Sequence, residues 1–264
     1  MKYKCLSIAG FDGSGGAGIQ ADIKTFSATG SYGMNVLTAI PVQNTCGVRS
    51  CYNLPLPCID EQLEVIFDDI RPDAIKIGML FSTEIIELVT SFLKKNAKDI
   101  PIVLDPVMVA KSGDSLLKPD AVKALKTKLI PIVNIITPNL PESMTLIPGE
   151  YEKKIVSQKL LDLGCKTVLL KGGHGGSVNS DDLYLSHDLS EILSAPRIKS
   201  QNTHGTGCTL SAAIASFIAQ GFSTFDACKK AKTYLYEAIL YSKDENIGKG
   251  HGPVHHFYHL WKYL

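Results

Sequence analysis

Thr203-His-Gly-Thr-Gly-Cys-Thr209 opens the run Gly207 to Gln220, which carries Leu210, Ala213, Ile214 and Phe217 on one side. That spacing predicts a helix whose first turn is rich in glycine. Free backbone N–H groups at a helix start, reinforced by the dipole, form an anion site, and glycine lets phosphate oxygens come close. Such a turn suits the charge developing on a transferring phosphoryl group. Cys208 lies in the first turn, where a thiolate is stabilised and its pKa lowered, so it is a candidate general base. The competing reading is a helix cap with a small buried cysteine.

Three further groups have chemistry within reach. In Asn139-Leu-Pro-Glu142 both polar residues fall at a helix start. A carboxylate there can hold Mg²⁺ beside phosphates, or merely complement the helix dipole. Asp105 ends an apolar run just before Pro106 and can support a metal or neutralise charge nearby. Lys171, before Gly172-Gly173, can meet a phosphate as a point charge or stand solvated in a loop. An earlier cluster, Gly13-Ser-Gly-Gly-Ala-Gly18, follows a strand pattern and matches the dinucleotide-binding glycine fingerprint. Yet the ribose-binding acid expected about 20 residues on is missing, because after Asp22 the next acidic residue is Asp60. A nicotinamide-dependent oxidoreductase is therefore a weak reading, and a tight turn serves equally well. Asp22 is either a surface acid in the first turn or a group pointed at a substrate hydroxyl or amine. No Walker A sequence, protein-kinase signature or His-Glu-x-x-His is present.

Alternating elements must bring these groups together. Strands are expected at Cys5–Ala9, Met34–Val42, Ala74–Gly78, Ile102–Asp105, Val133–Ile136 and Thr167–Lys171. Helices are expected at Ile19–Ala28, Glu61–Ile70, Glu84–Leu93, Asp120–Leu129, Pro141–Leu146, Glu152–Leu163, Gly207–Gln220 and Ser223–Tyr241, with a hairpin within Asp182–Leu193. The strands are apolar runs, as in a parallel sheet covered on both faces by helices. The polar and glycine-rich segments fall just after strands, where open α/β sheets place their ligand crevice.

Composition narrows the function. The chain has 264 residues, 27 basic and 26 acidic, with net charge +1, which provides no electrostatic footprint for nucleic acid or an anionic membrane. Its 45% hydrophobic content can fill a sizeable core. Seven scattered cysteines without Cys-x-x-Cys read as reduced thiols of a cytoplasmic protein. Cys46, Cys51 and Cys58 lack zinc spacing, and His251, His255 and His256 fit no standard metal motif. No targeting or membrane-spanning segment is expected, and one domain, 1–264, is the economical division.

Taken together, several segments resemble one family. They are Ile8-Ala-Gly-Phe-Asp-Gly-Ser-Gly-Gly-Ala-Gly-Ile-Gln-Ala-Asp22, Gln43-Asn-Thr45, Lys76-Ile-Gly-Met79, Asp105-Pro-Val-Met-Val-Ala-Lys-Ser-Gly-Asp114, Thr137-Pro-Asn-Leu-Pro-Glu142, Lys171-Gly-Gly-His174, the Asn202–Ala213 segment and Gly250-His-Gly-Pro-Val-His-His256. In order and in content they are similar to the hydroxymethylpyrimidine/phosphomethylpyrimidine kinases of thiamine biosynthesis, within the ribokinase-like superfamily. The resemblance implies a three-layer αβα fold with a mostly parallel central sheet, commonly a homodimer, using ATP and Mg²⁺ on a small pyrimidine. It implies two phosphorylations, of the hydroxymethylpyrimidine and then of its monophosphate. It also implies that Gly10, Ala17, Asp22, Gln43, Met79 and Val107 line the pyrimidine pocket, and that Glu142 and Asp105 serve the metal. Lys171 and Thr206 would meet the nucleotide. Gly205, Thr206 and Gly207 would form the anion hole, with Cys208 at the base position. One departure stands out: the family pattern has Ser or Thr followed by Asp-Pro where this chain has Phe11-Asp12-Gly13. The alternatives are a pyridoxal kinase of the same superfamily and a non-catalytic pyrimidine-binding sensor.

Overall fold

Side chains on the strands divide by parity between two cores. Leu6, Ile8, Ile75, Ile77, Leu104, Val168 and Leu170 join one hydrophobic cluster, while Cys5, Ala74, Val103, Ile135 and Leu169 join the other. A period of two with both faces buried requires a cover on each side. The computed structural model describes residues 2–109, 113, 116–118, 120–150, 152–173 and 178–261. Ala110, Lys111, Ser112, Asp114 and His174 of the motifs above lie outside the described residues.

In chain order the strands are β1 (Lys4–Ala9), β2 (Tyr32–Leu37), β3 (Ala39–Asn44), β4 (Gly47–Asn53), β5 (Ala74–Ile77), β6 (Ile102–Leu104), β7 (Ile135–Ile136), β8 (Thr167–Leu170), β9 (Asp182–Ser186) and β10 (Ser190–Leu193). The helices are α1 (Gly18–Ala28), α2 (Leu56–Asp69), α3 (Thr83–Asn96), α4 (Ala121–Ala124), α5 (Leu140–Leu146), α6 (Lys153–Leu161), α7 (Thr206–Ala219), α8 (Thr224–Ser242) and α9 (Tyr258–Trp261). Among the described residues the main sheet has eight strands in the order β10-β9-β8-β7-β6-β5-β1-β2. Pairings from β2 to β8 are parallel, and β9 and β10 add an antiparallel edge. Helices α2, α3 and α6 cover one face through Ile59, Leu63, Ile86, Val89, Val156 and Leu160. Helices α1, α7 and α8 cover the other through Phe26, Leu210, Ala213, Ile214, Ala227 and Ala231. This is the expected αβα sandwich.

From β1 the chain runs to β2 on one side, then returns through β5 on the other. Such a reversal opens a crevice at the carboxyl ends of the two strands. The site forms there. Three alanines of α7, Ala212, Ala213 and Ala215, are fully buried, so this helix packs close to the sheet and brings its N-terminus near the strand ends.

Two elements differ from the sequence expectation. Met34–Val42 is not one strand. It breaks at Thr38, whose N–H donates to Ala9 O (3.0 Å) and whose hydroxyl donates to Met79 O (2.7 Å). The chain then leaves the sheet as the β3–β4 hairpin, paired antiparallel as a separate two-stranded sheet. The expected helix Asp120–Leu129 keeps regular α geometry only over Ala121–Ala124, then widens over Leu125–Leu129 and tightens over Ile130–Ile132. Pro131 explains the change, since its ring crowds the carbonyl four residues back and it donates no N–H.

Candidate active site

The β1–α1 turn is organised by a carboxylate. Asp12 is fully buried. Its Oδ1 accepts from Ser14 N (2.9 Å) and Ser14 Oγ (2.7 Å), and its Oδ2 from Gly16 N (3.1 Å) and Ala17 N (2.7 Å). Burial alone raises a carboxyl pKa, but here bonds from His204, Ser14 and Ala17 outweigh it and hold Asp12 well below the usual range. The N–H groups of Gly16 and Ala17 are thus already occupied, and Ile19 N donates to Gly10 O at 3.0 Å. This is not the open amide cradle a dinucleotide pyrophosphate needs. Gly18 has φ +55°, and a Cβ there would strike Gly10 O, so only glycine closes the turn.

The second glycine turn begins α7. Gly205, at φ +76°, is its N-cap, and among the described residues no side-chain hydrogen bond caps the helix. A Cβ on Gly207 would lie 3.1 Å from Asp105 Oδ2 and 3.4 Å from Lys171 Nζ. The helix start therefore faces a charged cluster at the ends of β6 and β8. Lys171 Nζ donates to Asp105 Oδ1 at 2.8 Å and lies 3.8 Å from Glu142 Oε2. Thr137 Oγ1 also donates to Asp105, at 3.3 Å. Glu142 is fixed by a capping box at the start of α5, donating its N–H to Asn139 Oδ1 (2.8 Å) and accepting from Asn139 N (2.7 Å). Burial pushes the Glu142 carboxyl up to about 7, against the pull of Lys171. Burial works against the Lys171 ammonium, but Asp105 and Glu142 more than offset it, so the cation is held.

A third charged pair lies beneath. Ser7 and Lys76 are register partners on β1 and β5, on the face covered by α1 and α7. Lys76 Nζ donates to Asp22 Oδ2 at 2.8 Å and Ser7 Oγ donates to the same oxygen at 2.5 Å. Both charged side chains are completely buried, and among the described residues Asp22 Oδ1 has no hydrogen-bond partner. Burial disfavours the Lys76 ammonium, but the contact with Asp22 outweighs it and keeps the proton on lysine.

These groups meet at a cavity of about 580 Å³, within the size range of small-molecule sites. Gly10, Ala17, Gln43, Met79 and Val107 line it, as do Asp105, Glu142, Lys171, Gly205, Thr206, Gly207 and Cys208. Asp22 does not line it; it stands behind Lys76, which does. The expectation for Cys208 also changes. Burial pushes its thiol up to about 11, and the nearby Lys76 charge offsets only part of that. A place in the first helical turn does not lower the pKa here because desolvation is the larger effect. Among the described residues no three His, Cys, Asp or Glu side chains are grouped as a metal site. His256 meets Thr209 Oγ1 through Nε2 at 3.1 Å.

Sequence reading missed several groups at the site. Lys76 was legible, as a charge inside the otherwise apolar strand Ala74-Ile-Lys-Ile77. Asp12 and His204 lay inside the quoted motifs but were given no role, and Lys232 carried no local signal. Lys232 Nζ donates to Asp182 Oδ2 and Ser180 O, each at 2.7 Å, and Asp182 Oδ1 accepts from Gly172 N at 2.8 Å. These contacts fix the turn after Lys171. Arg197 grips the same turn, donating to Gly173 O at 2.8 Å.

Comparison with known proteins bears on this site directly. The family profile described as phosphomethylpyrimidine kinase matches residues 12–255. A hydroxymethylpyrimidine/phosphomethylpyrimidine kinase of Salmonella typhimurium is 46% identical, covering 99% of this chain and 100% of its own. The crystal structure of a phosphomethylpyrimidine kinase from Clostridium difficile superposes with a TM-score of 0.80 at 44% identity, over 90% of this chain and 100% of that one. An ADP complex of Bacillus subtilis pyridoxal kinase gives a TM-score of 0.88 at 35% identity, over 97% and 98% of the two chains. With its αβα fold, paired glycine turns and lysine–carboxylate cluster, the chain belongs to the phosphomethylpyrimidine kinase family, a family of phosphotransferases.

Proposed function

We propose that residues 1–264 form a single kinase domain that phosphorylates 4-amino-5-hydroxymethyl-2-methylpyrimidine with ATP, and then its monophosphate, in thiamine biosynthesis. The observation that carries this reading is the convergence on one cavity of the Gly10–Gly18 turn and Gln43 with the Gly205–Cys208 turn and Lys171. The first set suits a small polar ring, the second a phosphate chain. The 46% identity to the Salmonella enzyme supports the substrate.

In this reading the Gln43 amide reads the ring edge while Met79 and Val107 pack the ring face, with Gly10 and Ala17 allowing close approach. Asp22 acts from behind, by holding Lys76. The hydroxymethyl oxygen attacks the γ-phosphorus of ATP, forming an O–P bond as the bond to ADP breaks. Gly205, Thr206 and Gly207 donate to the phosphoryl oxygens, and Lys171 neutralises their charge. The transition state is loose, so positioning and electrostatics supply most of the rate. Cys208 takes the hydroxyl proton, and the positive charge of Lys76 stabilises the thiolate needed for that role. The Asp105 and Glu142 carboxylates are hard oxygen donors beside the phosphate turn. They fit Mg²⁺, which when bound would screen the phosphates.

The resemblance further supports a cytoplasmic homodimer; light scattering after size exclusion tests the dimer. Among the described residues no helix is long and apolar enough to cross a membrane. Incubation with ATP, Mg²⁺ and the pyrimidine, followed by mass analysis, must show a monophosphate and then a diphosphate. Binding of the pyrimidine without ATP turnover would instead support the sensor reading. A second reading, phosphorylation of pyridoxal, is favoured by the TM-score of 0.88 to the Bacillus enzyme, but identity and the family profile put the pyrimidine first.

A further inference from the structure

We propose that the Asp12–His204 pair is the positioning device that holds the acceptor turn and the phosphate turn in register for transfer. The inference rests on the functional reading above, in which the first turn holds the ring and the second the phosphates. His204 Nε2 meets Asp12 Oδ2 at 2.7 Å across 192 residues of sequence.

Asp12 is already well supplied with donors from its own turn. Two backbone N–H groups and the Ser14 amide and hydroxyl already occupy its oxygens, and a carboxylate has about four acceptor sites. The bond to His204 is the one that leaves the turn. His204 is anchored on its own side, with its N–H donating to Gly252 O at 3.0 Å, and it immediately precedes Gly205.

Glycines stand where the two turns touch. A Cβ on Gly16 would strike the His204 ring, and a Cβ on Gly205 would strike Gly16 O. The Gly205 and Gly16 backbones therefore meet directly, with the His204 ring packed against Gly16. Transfer needs the hydroxyl oxygen within near-attack distance of phosphorus, and a misplacement of about 1 Å can cost about 10²-fold in rate. When the turns lose register, water replaces the hydroxymethyl oxygen as nucleophile. The bond to ADP still breaks, but the product is inorganic phosphate.

The test compares His204→Met, which keeps bulk, with His204→Gln, which keeps a donor near the Nε2 position. ADP and phosphorylated pyrimidine are both counted. Met should lower kcat about 10²-fold, leave KM for ATP unchanged, and raise ADP formed per product above one. Gln should restore most of kcat and return the ratio toward one. Gly16→Ala keeps both partners but wedges the turns apart, and should leak in the same way; it decides the matter together with Gln if the Met variant does not fold. Variants that hold the ratio at one, or a Gln variant no better than Met, overturn the pair's role while wild-type transfer stands. A wild-type protein that makes no phosphorylated pyrimidine overturns the functional reading and this role with it.

Discussion

The Lys76 ammonium meets the Asp22 carboxylate at 2.8 Å with neither side chain exposed to solvent. A buried pair of this kind is weak evidence for stability, yet breaking it on one side costs about 3–5 kcal/mol. Lys76→Met should lose that much in urea denaturation. The orphaned Asp22 carboxyl would then favour its protonated form, so the variant binds more protons folded than unfolded. Its stability should therefore fall, relative to wild type, as pH rises through and above the ordinary carboxyl range, and Lys76→Met/Asp22→Leu should recover most of the loss and remove this added pH dependence.

Glu142 should make metal use depend on pH. Its carboxyl, pushed up to about 7 from 4.5, holds a proton more tightly folded than unfolded. Ionising it costs stability, and that cost develops as pH rises from 4.5 to about 7. Glu142→Gln should thus be relatively more stable than wild type at pH 8 than at pH 5. A proton also competes with the metal, so the Mg²⁺ concentration for half-maximal rate should rise by up to about tenfold per unit as pH falls below 7. Thermal melts and Mg²⁺ titrations at several pH values read both effects; a flat Mg²⁺ requirement would remove Glu142 from the metal site.

Cys208, with a thiol pushed up to about 11, should be mostly protonated in the ligand-free protein. At pH 8 roughly one thiol in a thousand is ionised, so iodoacetamide should label Cys208 slowly, as peptide mass analysis can follow. Cys208→Ala should lower kcat about 10²-fold, the low end of general-base effects. An unchanged kcat would remove the base role and leave the kinase assignment intact.

Phe11 and Gly13 form a coupled pair at the cavity rim. A Cβ on Gly13 would lie 3.1 Å from Phe11 Cε1, closer than packed atoms normally sit, and Phe11 lines the cavity. Gly13→Ala should displace the ring and raise KM for the pyrimidine a few-fold, with KM for ATP unchanged. In a Phe11→Ser background the same change should have little effect. Equal effects in both backgrounds would uncouple the two residues.

Much of this site was legible before the fold. Strand ends marked Asp105, Lys171 and the Gly10 turn because a charge or glycine after an apolar run is a local signal. The αβα layering followed from apolar strands alternating with amphipathic helices. The hairpin at Ala39–Asn53 was hidden because Met34–Val42 reads as one apolar run, and its break depends on Thr38 bonding to Ala9 and Met79, which are distant in sequence. Asp22 matched a pocket position by motif, but the pleat of β5 puts Lys76 between it and the cavity. The Cys208 pKa turned on burial, which a helix-start pattern does not encode. Asp12 and His204 are 192 residues apart, so only the folded chain makes them a pair.

The most direct test of the account is a coupled ATP-consumption assay with Mg²⁺, comparing kcat/KM for hydroxymethylpyrimidine and pyridoxal and identifying products by mass. The account predicts preference for the pyrimidine, with its monophosphate accumulating first and its diphosphate following. Turnover of pyridoxal alone, or of neither substrate, would contradict it.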